Sequence, residues 1–205
     1  MKPKYWNRGK LYLSNKDKVL KKIILQFPKE HMTMNTNHYH SLINSIIGQQ
    51  ISVSAANSIK NKFFALHKNI SPKNVININN VLIKKCGLSK QKIEYINNIS
   101  IFFIKNKIFF KQIHTYDEEF IRDKLIQIKG VGNWTIDMFL IFSLGFKNIF
   151  PEGDLGFLKG ISKSYSKDIP LDKNYLNKLK KRWSPYSSLA TWYLWRSLDP
   201  LPVNY

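Results

Sequence analysis

Leu125-Ile126-Gln127-Ile128-Lys129-Gly130-Val131-Gly132-Asn133-Trp134-Thr135-Ile136-Asp137-Met138-Phe139-Leu140 is the stretch on which the reading of this chain turns. Its pattern predicts a helix ending at Ile128, a tight Gly-Val-Gly turn, and a second helix beginning near Asn133. Two glycines permit positive φ and remove side chains where another backbone must come close. The turn then offers N–H groups at a helix N-terminus, where the helix dipole favours an anion. A DNA phosphate fits that description, and contacts of this kind fix register without reading sequence. Gly-x-Gly alone also describes an ordinary glycine-capped connection between two helices.

Outward from this turn the apolar spacing is helical throughout. Ser14-Asn15-Lys16-Asp17 reads as a capping box opening a segment that runs to Phe27, with Val19, Leu20, Ile23, Ile24 and Phe27 on one face. Tyr39 to Gly48 carries Leu42, Ile43, Ile46 and Ile47 at helical spacing, and Ser52 can cap the next helix. Ser71-Pro72 marks a start, Gly87 a stop, and Ser89 the head of a long helix. Thr115 and Glu118 read as another capping box. No sustained period-two alternation occurs, so the fold class is all-α. The expected architecture is two helical lobes with a cleft between them: one lobe about 37–140, the other 1–36 plus 141–205.

Lysine and arginine number 33 against 13 acidic residues, a net charge of +20, and 43% of the chain is hydrophobic. A core can form, and a charge this large points to a polyanionic partner. A bias toward Lys, Asn and Ile of the kind AT-rich codons produce also contributes, and charge alone permits a membrane-surface role. Cys86 is the only cysteine, which excludes a disulfide framework, a zinc-thiolate site or an iron–sulfur cluster within one chain. Its simplest role is that of a small buried hydrophobe. No signal region or membrane-length apolar run is present, so an intracellular, soluble protein without a membrane partner is expected.

A leucine five residues before Gly130, a threonine three after Gly132 and the apolar helix that continues resemble the helix-hairpin-helix motif of the HhH-GPD superfamily of DNA glycosylases. Downstream, Ile149-Phe150-Pro151-Glu152-Gly153-Asp154-Leu155-Gly156-Phe157 matches that superfamily's Gly/Pro-rich loop ending in an aspartate. By itself Asp154 reads as an N-cap at the start of a short helix; the resemblance makes it the catalytic carboxylate, with Glu152 as a competitor. Strand-cutting members carry a lysine two residues after the second hairpin glycine. Here that position is Trp134, and Lys129 lies on the other side of the turn, so hydrolysis without β-lyase activity is implied.

Trp134 and Trp192 look like the aromatic walls of AlkA-type 3-methyladenine DNA glycosylases, although tryptophan at helical spacing also serves a core. Indole faces attract a cationic alkylated purine. Met138 stands where some relatives carry an aromatic. Gly48-Gln49-Gln50-Ile51-Ser52 resembles the segment that fills the gap left by an extruded nucleotide, with either Gln49 or Gln50 as the plug and Ser52 beside it. Gly130, Val131, Gly132, Asn133 and Thr135 would face the DNA backbone. The resemblance further implies a monovalent cation (sodium or potassium) on the main-chain carbonyls of Ile126, Ile128 and Val131, with no other cofactor. A monomer acting on damaged duplex DNA follows, in the cytoplasm at the nucleoid or in a nucleus. The alternatives are a glycosylase for deaminated or oxidised bases, or a non-catalytic DNA-binding protein.

Overall fold

A computed structural model describes residues 1–199, so the last residues of the lobe expected to reach 205 lie outside it. In chain order the helices are α1 (Trp6–Lys16), α2 (Lys18–Gln26), α3 (His38–Gly48), α4 (Val53–Phe64), α5 (Pro72–Val75), α6 (Asn80–Lys85) and α7 (Lys90–Lys105). Then come α8 (Lys107–Lys111), α9 (Glu118–Leu125), α10 (Asn133–Phe142), α11 (Leu155–Tyr165), α12 (Lys173–Trp183) and α13 (Ser187–Leu198). Among the described residues there is no strand, and the fold is all-α.

Side-chain caps set most of the starts. Ser52, Ser71 and Ser89 accept from the backbone N–H groups of Ala55, Asn74 and Lys92, which satisfies donors a helix leaves open. Two expected capping boxes are corrected. Ser14 lies inside α1, and Asp17 caps α2 by accepting from Val19 N and Leu20 N. Asp117, not Thr115, caps α9 by accepting from Phe120 N at 2.9 Å. In both places an aspartate two or three residues further along takes the cap, and charge-assisted bonds are strong. Helix α1 escaped notice because it buries only Trp6, Gly9 and Leu13, too sparse a stripe to register as periodic.

The chain forms two compact units. One joins Met1–Met34 to the chain from Leu140 onward; the other is Asn35–Phe139. In the first, α13 packs against α1, α2, α11 and α12. Every residue from Ser187 to Trp195 is buried, so α13 runs through the centre of this unit. Gly160 lets α11 lie close on α13: a Cβ there would meet Leu194 Cβ at 2.9 Å.

Asp17 ties this unit together. Its Oδ1 caps α2, while Oδ2 accepts from Tyr165 Oη (2.8 Å), Trp183 Nε1 (3.0 Å) and Arg182 Nη1 (3.3 Å). Burial opposes ionisation and is the largest single influence, yet the donors from Trp183, Leu20 N, Tyr165 and Arg182 outweigh it. The carboxyl therefore sits below its ordinary value.

In the second unit α3 and α7 pack together, with α4 against α3 and α5 and α6 against α7. Leu42, Ile43, Ile46 and Ile47 from α3 meet a core that includes Ile93, Ile96 and Ile99 from α7. Cys86 is buried, burial pushes its thiol pKa up, and it takes the packing role expected of it.

Candidate active site and DNA-binding hairpin

Helix α9 ends at Leu125, three residues before the expected stop, because Ile126 N closes the last turn on Arg122 O and the chain then tightens. Gly130 adopts φ +99°, in the left-handed region that favours glycine. Its Cα faces the ring of Tyr95, so that a Cβ would lie 2.1 Å from Tyr95 Cγ. The two hairpin helices are tied by Arg122, which donates to Glu118 Oε1 (2.8 Å) and to Asp137 Oδ1 (2.6 Å).

This geometry divides the residues expected to face DNA. Gly132 and Asn133 are exposed. Val131 is buried and spends its N–H on Ile128 O at 2.9 Å. Thr135, 1% exposed, offers its Oγ1 to Gln49 Nε2 at 3.0 Å.

The two glutamines separate in the same way. Gln49 Nε2 also donates to Gly130 O at 3.2 Å, so its amide is engaged inside the fold. Gln50 is exposed and holds φ +57°, a left-handed backbone on a residue other than glycine. Ser52 is exposed as the cap of α4. Lys92 of α7 donates to the carbonyls of Ile47 and Gln49, both at 2.8 Å, and burial lowers its pKa.

The space beyond Gly132 is open, and a Cβ added there would meet no atom within 4 Å. Gly132→Asp should therefore fold normally but place a negative charge where a phosphate would approach. About tenfold weaker binding to undamaged duplex of any sequence is expected, with an unchanged melting temperature. Unaltered affinity in a fluorescence-anisotropy titration would refute a phosphate clamp at this turn.

In the first unit, Asp154 is the N-cap of α11, with Oδ1 accepting from Phe157 N at 2.5 Å and from Trp195 Nε1 at 2.8 Å. Two donors on one oxygen fix the carboxylate's orientation. The loop before it is pinned to the head of α13: Ile149 N donates to Ser188 Oγ (2.9 Å), which itself donates to Phe146 O (2.6 Å). Glu152, the competing carboxylate, is exposed and paired with Lys180 at 3.0 Å.

Trp195 is the residue that sequence reasoning missed. Its ring is 6% exposed and stacks on Phe142 at 5.8 Å. Trp192, expected to wall a base pocket, is 1% exposed and packs edge-on against Trp6 (5.1 Å) and Tyr193 (5.0 Å). Met138, on α10, is fully buried. Trp134 alone of the three keeps partial exposure. Among the described residues no cluster of His, Cys, Asp or Glu could hold a metal ion, and no helix is long and apolar enough to cross a membrane.

The chain is 28% identical over 197 residues to DNA-3-methyladenine glycosylase 1 of Schizosaccharomyces pombe, covering 93% of this chain and 86% of that one. It is 29% identical over 198 residues to the alkylbase DNA glycosidase-like protein mag2 of the same yeast, covering 93% of each. The solved structure of the S. pombe 3-methyladenine DNA glycosylase Mag1 in complex with abasic DNA superposes with a TM-score of 0.85 at 26% identity, covering 97% of this chain and all of that one. A family model for the HhH-GPD superfamily base excision DNA repair protein matches residues 43–185, a span holding both the hairpin and Asp154. The chain belongs to the HhH-GPD superfamily of base excision DNA repair proteins.

Proposed function

We propose that this protein is a DNA glycosylase of base excision repair that hydrolyses the N-glycosidic bond of alkylated purines, such as 3-methyladenine and 7-methylguanine, and leaves an abasic site. The observation that carries the reading is the Asp154 carboxylate, oriented at the head of α11 by Phe157 N and Trp195 Nε1. Relatives named as 3-methyladenine glycosylases support the substrate class.

Breaking the bond between base and deoxyribose builds positive charge on the sugar, as in other glycoside cleavages. A fixed carboxylate stabilises that charge and can orient the attacking water or take its proton. Alkylation of a ring nitrogen makes the base a cation and a good leaving group, so one carboxylate suffices. Trp134 supplies an indole where a Schiff-base lysine would stand, so water attacks the anomeric carbon, the base departs, and the sugar stays in an uncut strand as an abasic site.

The phosphate backbone is held at the exposed Gly132-Asn133 end of the hairpin, and Gln50 fills the gap in the stack. The main-chain carbonyls of Ile126, Ile128 and Val131 are oxygen donors of the kind a hard monovalent cation takes. Ile128 O keeps a second lone pair beyond its bond from Val131 N. Such a cation would stiffen the turn and add positive charge beneath a phosphate. The protein acts as a monomer on damaged duplex DNA.

Incubating methylated duplex with the protein and identifying the bases set free tests this reading. Release of 3-methyladenine and 7-methylguanine is expected, with strand breaks appearing only after alkali. Release of only deaminated or oxidised bases from matched substrates would reassign the lesion, and no release at all would leave a DNA-binding protein without the activity.

A further inference from the structure

We infer that Lys92 is a positioning residue for base extrusion: its ammonium holds the Gly48–Ser52 loop in the one conformation that presents Gln50. The inference rests on the glycosylase reading and on Gln50 as the residue that enters the stack.

Helix α3 ends at Gly48, and the carbonyls of its last turn have no partner within the helix. Lys92 Nζ donates to two carbonyls of this end, Ile47 O and Gln49 O, each at 2.8 Å. A cation is also the species a helix C-terminus favours. Held there, Gln49 turns its amide onto Gly130 O and Thr135 Oγ1, which joins the loop to the hairpin. The next residue, Gln50, is left exposed with φ +57°. A left-handed backbone is unfavourable for a non-glycine residue and persists only where its surroundings enforce it. Two fixed carbonyls before it and a capped helix after it are that enforcement.

The lowered pKa of Lys92 accords with this placement: burial removes water from the ammonium and the carbonyls replace it. A surface lysine attracting phosphate would need neither bond. What Lys92 does for catalysis is therefore indirect, and its effect should depend on how much extrusion costs.

The test compares single-turnover release of 7-methylguanine from two duplexes, one with the lesion paired to cytosine and one with it unpaired in a bulge. Unstacking costs less for the unpaired lesion. Lys92→Met, which keeps length and removes the charge, should slow release from the paired duplex at least about tenfold and from the bulge by less than about threefold. Lys92→Arg should restore most of the paired rate. Gln50→Ala should show the same split, and Lys92→Met with Gln50→Ala should be no slower than the worse single variant, because Lys92 acts only through the placement of Gln50.

Equal losses on both duplexes, or no loss on the paired one, would overturn the role. So would full additivity in the double variant. Should Lys92→Met fold poorly, Lys92→Gln, which keeps a donor without the charge, is read against the same pair of duplexes. Failure of the glycosylase reading is separate, since wild-type protein would then release no base from either duplex.

Discussion

Asp154→Asn should leave a folded, DNA-binding protein whose single-turnover release of 7-methylguanine is at least about 100-fold slower than wild type. The substitution suits the site because it changes charge and little else. Asparagine is as good an N-cap as aspartate, and its amide oxygen can still accept from Phe157 N and Trp195 Nε1. The start of α11 should therefore survive, with melting temperature and duplex affinity close to wild type. What disappears is the negative charge opposite the developing positive charge on deoxyribose, and with it the group able to take a proton from water. Preorganised charge in a site shielded from water is worth far more than in bulk solvent, which is why a single oxygen can matter so much. Measuring release, melting and binding on one preparation decides the matter. Unimpaired release by the variant would end the case for Asp154, and loss of melting temperature in parallel with activity would reduce it to a structural cap.

Asp17→Ala should have the largest effect on stability, about 3 kcal/mol, or a melting temperature lower by roughly 6–12 °C. The residue is 3% exposed and accepts from α2, Tyr165, Arg182 and Trp183 together. Alanine would strand the buried indole N–H of Trp183 and the hydroxyl of Tyr165 and leave α2 uncapped. The figure is held to the lower end of what a broken buried pair costs, because the Arg182 side chain is 46% exposed and water can take over its charge.

The pH dependence follows from the direction of the Asp17 shift. The folded carboxyl lies below its ordinary value of 3.8. Its contribution is therefore fully present above that value and is lost as pH falls through the folded one. Urea unfolding should separate wild type from Asp17→Ala widely at neutral pH, and the gap should close on the acid side of 3.8. A difference below about 1 kcal/mol at neutral pH would show that the network contributes little net stability.

Part of the site is local in origin, and that part is legible in the chain. A glycine turn between apolar helices needs only neighbouring residues, so Gly130 could be read from its own surroundings. Asp154 likewise announces an N-cap, since the donor it binds is three residues away. Its chemistry came from the resemblance, and the family match over residues 43–185 spans it.

Other assignments depended on residues far along the sequence. Trp192 and Trp195 are one helical turn apart on α13, and both are apolar enough for a core. Which of them meets the carboxylate depends on how α13 is rotated against α11, a contact set by Gly160 lying on Leu194. Gln49 and Gln50 are adjacent and chemically identical. Lys92 and the hairpin decide between them, from 43 and 86 positions away in the bonds to Gln49 O and to Thr135 Oγ1. Asp17 shows the same limit most plainly, because its cap on α2 is local while its other donors come from 148 to 166 residues downstream.

By itself the sequence determined an all-helical, strongly basic chain with a glycine hairpin and a capping aspartate, because helical period, turn chemistry and charge act over a few residues. Only the tertiary structure decided which tryptophan orients that aspartate and which glutamine stays at the surface. Those choices are made by hydrogen bonds and close helix contacts between segments that share no neighbourhood until the chain has folded.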